Sequence, residues 1–442
     1  MSLTKTRDLA KKTQAAVNLL QQMGCSHTTV IAVRSSSPAV VYILARAAAA
    51  LGLPLLPLDP ALPVEPSKRL LQQAGSFLLV ADEPFGDVPT TLTTDVLACP
   101  VADEIPPARL VADDLALLMA SSGSSGEPRL IMLTAANLQA AAEASMHCVP
   151  LRTADCWLAC LPLFHIGGFS IPVRCDLAGA EALLLPGFDV ESVWQALHDE
   201  QVTHLSLVPT MLAKLLEHST ASPPRSLRHV LVSGAALSAD LAARAIASGW
   251  PLQPSYGLTE AASQAATLPF FPANWLPGQV GPPLPGMEVA LNEDGRLQIR
   301  GPMVMLGYAN QARRPGDGLK DGWFVTQDLA TLASDGSVRI IGRADAVIIS
   351  GGKKVQPAKV EEQLLYCPGV SDVVVYGRPD AVWGELVVAA YCGTWAEDEL
   401  MAWCRDHIPG ALRPRVLRRL PELPLLANGK VDRRAMRAGN SG

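Results

Sequence analysis

The sequence has no run of basic residues, no Cys-x-x-Cys pair and no uninterrupted apolar stretch long enough for a membrane helix. Its formal net charge is −6, so a nucleic-acid partner is not expected. The lack of Cys-x-x-Cys argues against a zinc ribbon, and an odd count of nine cysteines fits reduced thiols. We therefore expect a cytoplasmic protein that is a monomer or a homodimer.

Two segments bear on export and membranes. The opening residues, MSLTKTRDLAKK, are polar and charged and predict no signal peptide. The most apolar stretch, residues 38–60, contains Arg46 and is interrupted by Pro54 and Pro57. A buried helix followed by a strand fits this stretch better than a membrane span does.

The order of apolar segments predicts an α/β fold. TTVIAVRS reads as a buried strand, the next segment as a helix with Ser37 as N-cap and Gly52 near its end, and LPLLPLD as another strand. Such a β-α-β unit favours a parallel sheet with helices on its faces. Similar alternation continues to about residue 275, so we expect layered sheets and helices in a large N-terminal part.

The composition changes twice towards the C-terminus. Proline and glycine rise after residue 275, and short alternating strands predict a β subdomain at about residues 276–343. A small α+β domain is predicted for residues 346–442, with two helices, two strands and a loop-rich tail. The expected division is thus an N-terminal core, residues 1–343, and a mobile C-terminal domain, with a hinge near Asp345.

The densest Gly/Ser stretch, MASSGSSGEPRL, separates two apolar runs. Glycine lets the backbone approach an anion closely, and several N–H groups can then point at one phosphate. A plain hairpin turn explains the stretch equally well. The segment also lacks the lysine and the spacing of a Walker P-loop.

Other polar motifs are weak when each is considered alone. Thr259 and Glu260 in YGLTE could serve a phosphate and Mg²⁺, but they also resemble a helix cap with an acidic first turn. Asp328, expected after a short strand, could bind ribose hydroxyls or be an ordinary turn aspartate. Lys430 follows the turn dipeptide Asn428-Gly429 and is expected at a loop tip.

The order of these motifs is more specific than any one of them. The Gly/Ser loop, LPLFHIGG, SGAALS, YGLTE, TQD, GRADAVIISGGKKV and NGK together resemble the adenylate-forming superfamily of acyl- and aryl-CoA ligases. The resemblance spans about residues 8–436. Among the branches, the chain is most similar to the short bacterial CoA ligases, which include o-succinylbenzoate–CoA ligases.

This resemblance implies an ATP-dependent carboxylic acid–thiol ligase that uses Mg²⁺ and CoA. The acid first forms an acyl-adenylate and pyrophosphate, and a thiol then displaces AMP. Lys430 is implied as the catalytic cation, Glu260 as the metal ligand, and His165 as a residue beside the acyl pocket. The residues implied in nucleotide or CoA binding are Ser121, Ser122, Gly123, Ser124, Ser125, Gly126, Arg129, Gly234, Ala235, Ala236, Tyr256, Gly257, Thr259, Asp328, Arg343, Gly351 and Gly352.

The substrate remains open at this stage. The stretches that would line the acyl pocket are small and apolar apart from His165 and Arg174. An aromatic or medium-chain acid fits them, and a dicarboxylate fits if Arg174 faces inward. The acceptor could be CoA or the phosphopantetheine arm of a carrier protein.

The chain departs from the family pattern at four positions. Arg129 stands where the family usually has lysine, Ser125 where it has threonine, Gln327 where it has glycine, and Lys359 where glutamate is typical. Gln327 would crowd the backbone unless its φ is negative. Two other functions compete: a stand-alone amino-acid adenylation enzyme, which would need an acid near FHIGG, and an inactive nucleotide-binding homologue.

Overall fold

The structure is a computed structural model. It describes residues 3–26, 28–75, 77–98, 113–121, 129–309, 315–410, 412–426, 429 and 431–438. The helices are α1 Ala10–Gln22, α2 Pro38–Leu51, α3 Val64–Ala74, α4 Thr93–Ala98, α5 Ala135–Cys148, α6 Ile166–Ala178, α7 Val190–Asp199, α8 Pro209–His218, α9 Ala239–Ala247, α10 Pro357–Leu364, α11 Glu397–His407 and α12 Arg433–Ala438. Short 3₁₀ turns lie at Thr6–Leu9, Thr259–Ala261 and Ala344–Ala346.

The strands follow in chain order. They are β1 Thr4–Lys5, β2 Val30–Arg34, β3 Leu55–Leu58, β4 Phe77–Ala81, β5 Thr90–Leu92, β6 Leu115–Ala120, β7 Leu130–Thr134, β8 Cys156–Ala159, β9 Glu181–Leu184, β10 His204–Leu207, β11 His229–Val232, β12 Leu252–Leu258, β13 Ser263–Thr267, β14 Gln279–Gly281, β15 Glu288–Leu291, β16 Arg296–Arg300, β17 Gly307–Tyr308, β18 Phe324–Leu332, β19 Val338–Arg343, β20 Ile348–Ser350, β21 Lys353–Val355, β22 Val370–Asp380, β23 Gly384–Gly393 and β24 Val416–Arg419.

Two mainly parallel sheets form the large N-terminal part. The first has the order β17-β7-β6-β3-β2-β4-β5, and the second has the order β1-β9-β8-β10-β11-β12-β13. The predicted α/β class with layered sheets and helices is confirmed. Strands β1, β7, β13 and β17 pair antiparallel with their neighbours at the sheet edges.

The alternation of side chains along β2 shows how the layers are joined. Ile31 and Val33 pack in the core that contains α2 and α6, which lies between the two sheets. Val30 and Ala32 point to the other face and pack against α3. Both faces of the strand are therefore buried, as expected for a parallel sheet covered by helices.

The predicted helix after β2 has the signals that the sequence suggested. Ser37 is the residue before α2, Pro38 begins the helix, and Gly52 ends it with φ +68. Glycine adopts this left-handed conformation without a steric cost, so the chain can leave the helix and enter β3 at once. Residues Leu55–Leu58 then pair in parallel with β2.

A third sheet, with the order β14-β19-β18-β16-β15, corresponds to the predicted β subdomain. One strand of that region, β17, instead joins the first sheet by pairing with β7. This detail differs from the prediction, and it brings Tyr308 beside the predicted phosphate loop.

The C-terminal residues form a fourth sheet around β20, β21, β22 and β23, packed with α10 and α11. The tail was expected to be rich in loops, and this expectation was wrong in part. Residues Val416–Arg419 pair in parallel with β23, and α12 follows. Among the described residues, no helix combines the length and the apolar character needed to cross a bilayer.

Candidate active site

Three of the predicted motifs, LPLFHIGG, SGAALS and YGLTE, lie at one edge of the second sheet. Strands β8, β10, β11 and β12 are parallel neighbours, so their carboxyl ends lie side by side. LPLFHIGG, VPT and SGAALS follow β8, β10 and β11, respectively, and YGLTE forms the end of β12 and the turn after it. In open α/β sheets, ligands bind in the crevice outside the carboxyl ends of the strands. The chain order of the motifs thus becomes a spatial cluster.

The residues predicted to hold ribose are brought together. The hydroxyl of Tyr256 donates a hydrogen bond of 2.7 Å to Oδ2 of Asp328. A guanidinium nitrogen of Arg343 lies 3.5 Å from Oδ1 of the same carboxylate. Asp328 and Arg343 are cross-strand partners on β18 and β19. Burial raises the pKa of Tyr256, so its hydroxyl stays a donor.

Asp328 does not follow a short strand, as had been expected. It lies within β18, which continues to Leu332 after an irregular register between Leu329 and Ala330. Gln327 is not among the residues with positive φ, so it occupies the strand without the strain that the missing glycine suggested. The backbone N–H of Asp328 donates to Oγ1 of Thr326, at 3.0 Å.

Glu260 lies on the 3₁₀ turn Thr259–Ala261, immediately after β12. Its Oε1 accepts a hydrogen bond of 2.9 Å from the hydroxyl of Tyr308. Burial raises the pKa of this carboxyl, whereas the tyrosine hydrogen bond acts in the opposite direction. The next residues, Ala262 and Ser263, have φ of 51 and 119, which is strained for residues with a side chain.

The surroundings of Glu260 fit a magnesium ion that arrives with a nucleotide. Mg²⁺ commonly binds one or two carboxylates and completes its shell with water and phosphate oxygens. Within the described ranges, no group of three or more His, Cys, Asp or Glu side chains could hold a metal alone. A half-buried carboxylate beside a hydroxyl residue therefore fits an ion that is bound to phosphate better than one held by protein groups alone.

The predicted phosphate loop connects β6 and β7, which pair antiparallel. The two ends of the loop are close together, because the N–H of Ser121 donates to the carbonyl of Arg129 at 2.8 Å. The guanidinium of Arg129 lies 3.6 Å from the ring centre of Tyr308. The loop exit therefore meets the same tyrosine that bonds Glu260. The predicted loop residues Ser122, Gly123, Ser124, Ser125 and Gly126 lie outside the described residues.

The SGAALS segment, which the resemblance implies in nucleotide binding, connects β11 to α9. Gly234, Ala235 and Ala236 are exposed there, and Ser238 caps the helix by accepting from the N–H of Leu241. Gly257, on the neighbouring strand, lies against the backbone of Ser263, where a Cβ would collide with the carbonyl oxygen. A structural need explains this glycine without any contact to a nucleotide.

His165 immediately precedes α6 and is half-buried. Its backbone N–H donates to the carbonyl of Pro162 at 3.1 Å, and its imidazole ring lies 4.9 Å from the ring of Phe164, centre to centre. The turn packs closely on the helix, since a Cβ on Gly168 would overlap the Pro162 carbonyl. The imidazole is thereby kept at the carboxyl edge of β8.

The C-terminal candidates occupy different places. Gly351 and Gly352 form the turn between β20 and β21, with φ of 56 and 75. Asp345 accepts two hydrogen bonds from Arg343, of 2.8 and 2.6 Å. Lys430 lies outside the described residues. Its neighbour Gly429 is described, and its carbonyl accepts a hydrogen bond from Thr210 of the N-terminal part.

Three polar residues near the cluster were not recognised from the sequence as site residues. These are Tyr308, Thr210 and Ser263. None belongs to one of the motifs recognised above as typical of a binding site, and each forms a hydrogen bond with a residue 48 or more positions away. A strand-edge tyrosine in GYAN and a threonine in VPT carry no pattern that would have separated them from ordinary packing residues.

Comparison with known proteins agrees with the sequence prediction. Residues 6–309 match the family model of the AMP-binding enzymes, and residues 359–430 match the model of their C-terminal domain. A 2-succinylbenzoate–CoA ligase from Bacillus cereus is 32% identical over 381 residues, which are 83% of this chain and 79% of the relative. A ligase of the same name from Bacillus mycoides gives the same identity and coverage.

Solved structures extend the likeness to the whole fold. An o-succinylbenzoate CoA synthetase from Bacillus subtilis, in complex with its acyl-adenylate, superposes with a TM-score of 0.87 at 29% identity. The match covers 98% of this chain and 92% of that one. A second structure of the Bacillus subtilis enzyme, with ATP and magnesium ion, gives a TM-score of 0.85 at 30% identity, covering 96% and 92%.

The predicted family, reaction class and cofactors ATP, Mg²⁺ and CoA agree with these matches. The order of motifs along the chain, their convergence at one sheet edge and the length of the matches all point to the same conclusion. The chain belongs to the AMP-binding enzyme family, whose members of this branch are AMP-forming acid–thiol ligases.

Proposed function

We propose that the protein activates an aromatic dicarboxylic acid of the 2-succinylbenzoate type as its acyl-adenylate and then transfers the acyl group to CoA. The observation that carries this choice of acid is Arg174. Its side chain is only 2% exposed, on the side of α6 that faces the strand after Glu260. One guanidinium nitrogen donates to Oγ of Ser263 at 3.1 Å.

Arg174 is a buried cation. Among the described residues, no carboxylate acts on its charge, and its Nε has no hydrogen-bond partner. Burial lowers its pKa to about 10, which leaves it charged at neutral pH. The ring of Trp157 lies 5.4 Å from the guanidinium and gives partial compensation.

An uncompensated buried charge is costly, and such residues concentrate at functional sites. A substrate with two carboxylates would supply the missing anion with the carboxylate that is not activated. The neighbouring Ser170 and Ser263, whose hydroxyls lie 3.1 Å apart, add donors for the same group. An amino-acid substrate would instead require an acid in the pocket.

The proposed adenylation step brings an anionic carboxylate to the α-phosphate of ATP. Charge stabilisation and positioning must therefore supply most of the catalysis. Glu260 would hold Mg²⁺ together with phosphate oxygens, and bound Mg²⁺ would offset phosphate charge. Asp328 and Arg343 would hold the ribose, and the Gly/Ser loop with Arg129 would hold the outer phosphates. Lys430 would provide the cation next to the attacking carboxylate, with His165 at the border of the acyl pocket.

The second step requires a different arrangement of the C-terminal domain. We propose the boundary near residue 343 and the hinge at Asp345, so that residues 346–442 rotate between the steps. Lys430 would serve adenylation, and the turn at Gly351 and Gly352 would border the entry of the thiol. Hinges of this kind absorb large φ/ψ changes at one or two positions.

The choice of acid is tested by comparing the diacid with its two monoacid analogues. These are 4-oxo-4-phenylbutanoate, which lacks the ring carboxylate, and 2-butyrylbenzoate, which lacks the chain carboxylate. For the parent enzyme we expect kcat/KM to be highest with 2-succinylbenzoate. Arg174→Gln should lower kcat/KM for the diacid by about 10²-fold, since it removes a charged contact.

The monoacid that still reacts provides the control. Its kcat/KM should change only a few-fold in Arg174→Gln, and the KM for ATP should stay constant in both enzymes. Arg174→Lys, which keeps the charge, should recover part of the preference for the diacid. An equal loss for diacid and monoacid would show that Arg174 serves the fold and not the substrate.

A further inference from the structure

One hydrogen bond joins the C-terminal domain to the edge of the second sheet, where the predicted motifs meet. The hydroxyl of Thr210 donates to the carbonyl oxygen of Gly429 at 2.6 Å, across 219 positions of sequence. Thr210 is the second residue of α8, directly after β10. Because Thr210 lies in the first turn, no carbonyl of its own helix lies three or four residues before it, and its hydroxyl can serve a distant partner.

The described residues on either side of Gly429 pair as the two arms of a hairpin. Leu425 and Val431 form an antiparallel bridge, and the N–H of Gly429 donates to the carbonyl of Leu426 at 2.8 Å. A further hydrogen bond of 2.7 Å runs from the N–H of Asp432 to the carbonyl of Pro424. The carbonyl of Gly429 is therefore presented by a backbone that is fixed on both sides.

Gly429 fits against the start of α8 because it has no side chain. Its φ is +76, and a Cβ would lie 2.8 Å from Cγ2 of Val208 and 3.2 Å from Cε of Met211. The first distance is closer than real Cβ contacts, and Val208 is buried, so it has little room to move. Both the backbone conformation and the space require glycine here.

The contact lies where it can influence adenylation. The carboxyl end of β10 is adjacent to that of β11, which precedes SGAALS, and β12 with Tyr256 follows in the sheet. Gly429 is the residue before Lys430, for which we proposed the role of adenylation cation. Fixing the Gly429 carbonyl at this edge restricts where the following residue can reach.

We propose that Thr210 is a positioning residue for Lys430: its hydrogen bond to Gly429 holds this hairpin against α8 at Gly429 during adenylation and breaks when the C-terminal domain moves for the thiol step. This inference rests on the proposed role of Lys430. A single hydrogen bond suits the task, because it orients the hairpin and is weak enough to exchange for water at each turnover.

The two half-reactions separate this role from a general effect on the fold. Single-turnover formation of acyl-AMP measures the first, and CoA-dependent consumption of pre-formed acyl-AMP measures the second. Thr210→Val removes the donor at nearly constant volume and should slow acyl-AMP formation by roughly three- to tenfold. The rate of thioester formation should change less than twofold.

Three further variants complete the test. Thr210→Ser keeps the hydroxyl and should restore acyl-AMP formation. Gly429→Ala should slow acyl-AMP formation more than Thr210→Val, because its Cβ opposes docking. The matched control is Thr220→Val, the same substitution at an exposed threonine just beyond α8, which should leave both rates unchanged.

The outcomes distinguish this inference from the proposed function of Lys430. If Lys430→Ala abolishes acyl-AMP formation and Thr210→Val leaves it unchanged, the positioning role is overturned. It is also overturned if Thr210→Val slows both half-reactions equally. If Thr210→Val slows acyl-AMP formation while Lys430→Ala does not, the hairpin contact stands and the role proposed for Lys430 fails.

Discussion

The guanidinium of Arg129 stacks on the ring of Tyr308, 3.6 Å from its centre, and the hydroxyl of Tyr308 donates to Glu260. The exit of the Gly/Ser loop and the predicted metal ligand are thus joined through one tyrosine. The planar guanidinium can stack on a ring and still offer N–H donors to a phosphate, which an ammonium group does less well. This relationship explains how arginine occupies a position where the family usually has lysine.

Arg129→Lys should therefore weaken ATP binding, although the substitution keeps the positive charge. We expect the KM for ATP to rise about three- to tenfold, because the stacking on Tyr308 is lost. Arg129→Ala, which also removes the charge, should raise it further. Equal KM values for ATP in the parent enzyme and in both variants would contradict a role of Arg129 at the phosphates.

Adenylation should require more Mg²⁺ below a certain pH, which we call the acid limit, and Tyr308 should influence the position of this limit. Burial raises the pKa of Glu260, so its carboxylate takes up a proton at a higher pH than an ordinary glutamate as the pH falls. Since Mg²⁺ binds the ionised form, the Mg²⁺ concentration for half-maximal adenylation should increase on acidification. Tyr308→Phe removes a hydrogen bond that lowers this pKa, and should move the acid limit to higher pH.

This shift is measured from the Mg²⁺ dependence of acyl-AMP formation across a pH series in parent and Tyr308→Phe enzymes. Tyr366→Phe is a suitable control, because Tyr366 is 65% exposed on the C-terminal domain. An acid limit that is identical in all three enzymes would mean that Glu260 does not govern Mg²⁺ binding.

The hinge proposal predicts a difference between two substitutions of Asp345. Asp345→Pro fixes φ near −65°, and should leave adenylation intact while slowing thioester formation by about 10²-fold. Asp345→Asn removes the ion pair with Arg343 without restricting the backbone. It should affect thioester formation much less. If both variants lose thioester formation equally, the ion pair and not the backbone rotation is what matters.

His204 should make the fold sensitive to acid. Its Nε2 lies 3.1 Å from the carbonyl of Pro150, and its ring stacks 4.7 Å from that of His229, centre to centre. Burial lowers the pKa of His204 to about 4. Because the unfolded chain takes up its proton near the ordinary value, the stability that neutral His204 contributes is lost as the pH falls below about 6.5.

The expected loss is about 2 kcal/mol between roughly pH 7 and pH 5. His204→Gln should flatten this dependence, although the variant is less stable at neutral pH. Thermal unfolding at a series of pH values in both proteins measures the difference. Parallel pH profiles for the two proteins would show that another group is responsible.

Local signals along the chain predicted the elements well where short-range chemistry determines them. Pro38 and Gly52 mark the ends of α2 because a fixed φ and a left-handed φ are properties of single residues, whereas the side chain of Ser37 makes no capping hydrogen bond. The order of the motifs along the chain was also read from the sequence, but their grouping at one sheet edge depends on the parallel pairing of β8, β10, β11 and β12.

The sequence was less informative where distant residues decide the structure. The pairing of β17 with β7 depends on a strand of two residues, too short to show alternation. The extension of β18 beyond Asp328 depends on its partner β19. Among the described residues, no carboxylate acts on the charge of Arg174. This depends on all the residues that pack around α6, so the sequence alone left the orientation of Arg174 open.

The central claim, adenylation of an aromatic diacid, is tested most directly by acid-dependent exchange of labelled pyrophosphate into ATP in the absence of CoA. We predict exchange with 2-succinylbenzoate that requires Mg²⁺, together with much weaker exchange for a panel of amino acids and aliphatic monoacids. CoA added afterwards should convert the enzyme-bound adenylate to a thioester and release AMP. Exchange that depends on an amino acid, or no exchange with any carboxylic acid in the panel, would contradict the account.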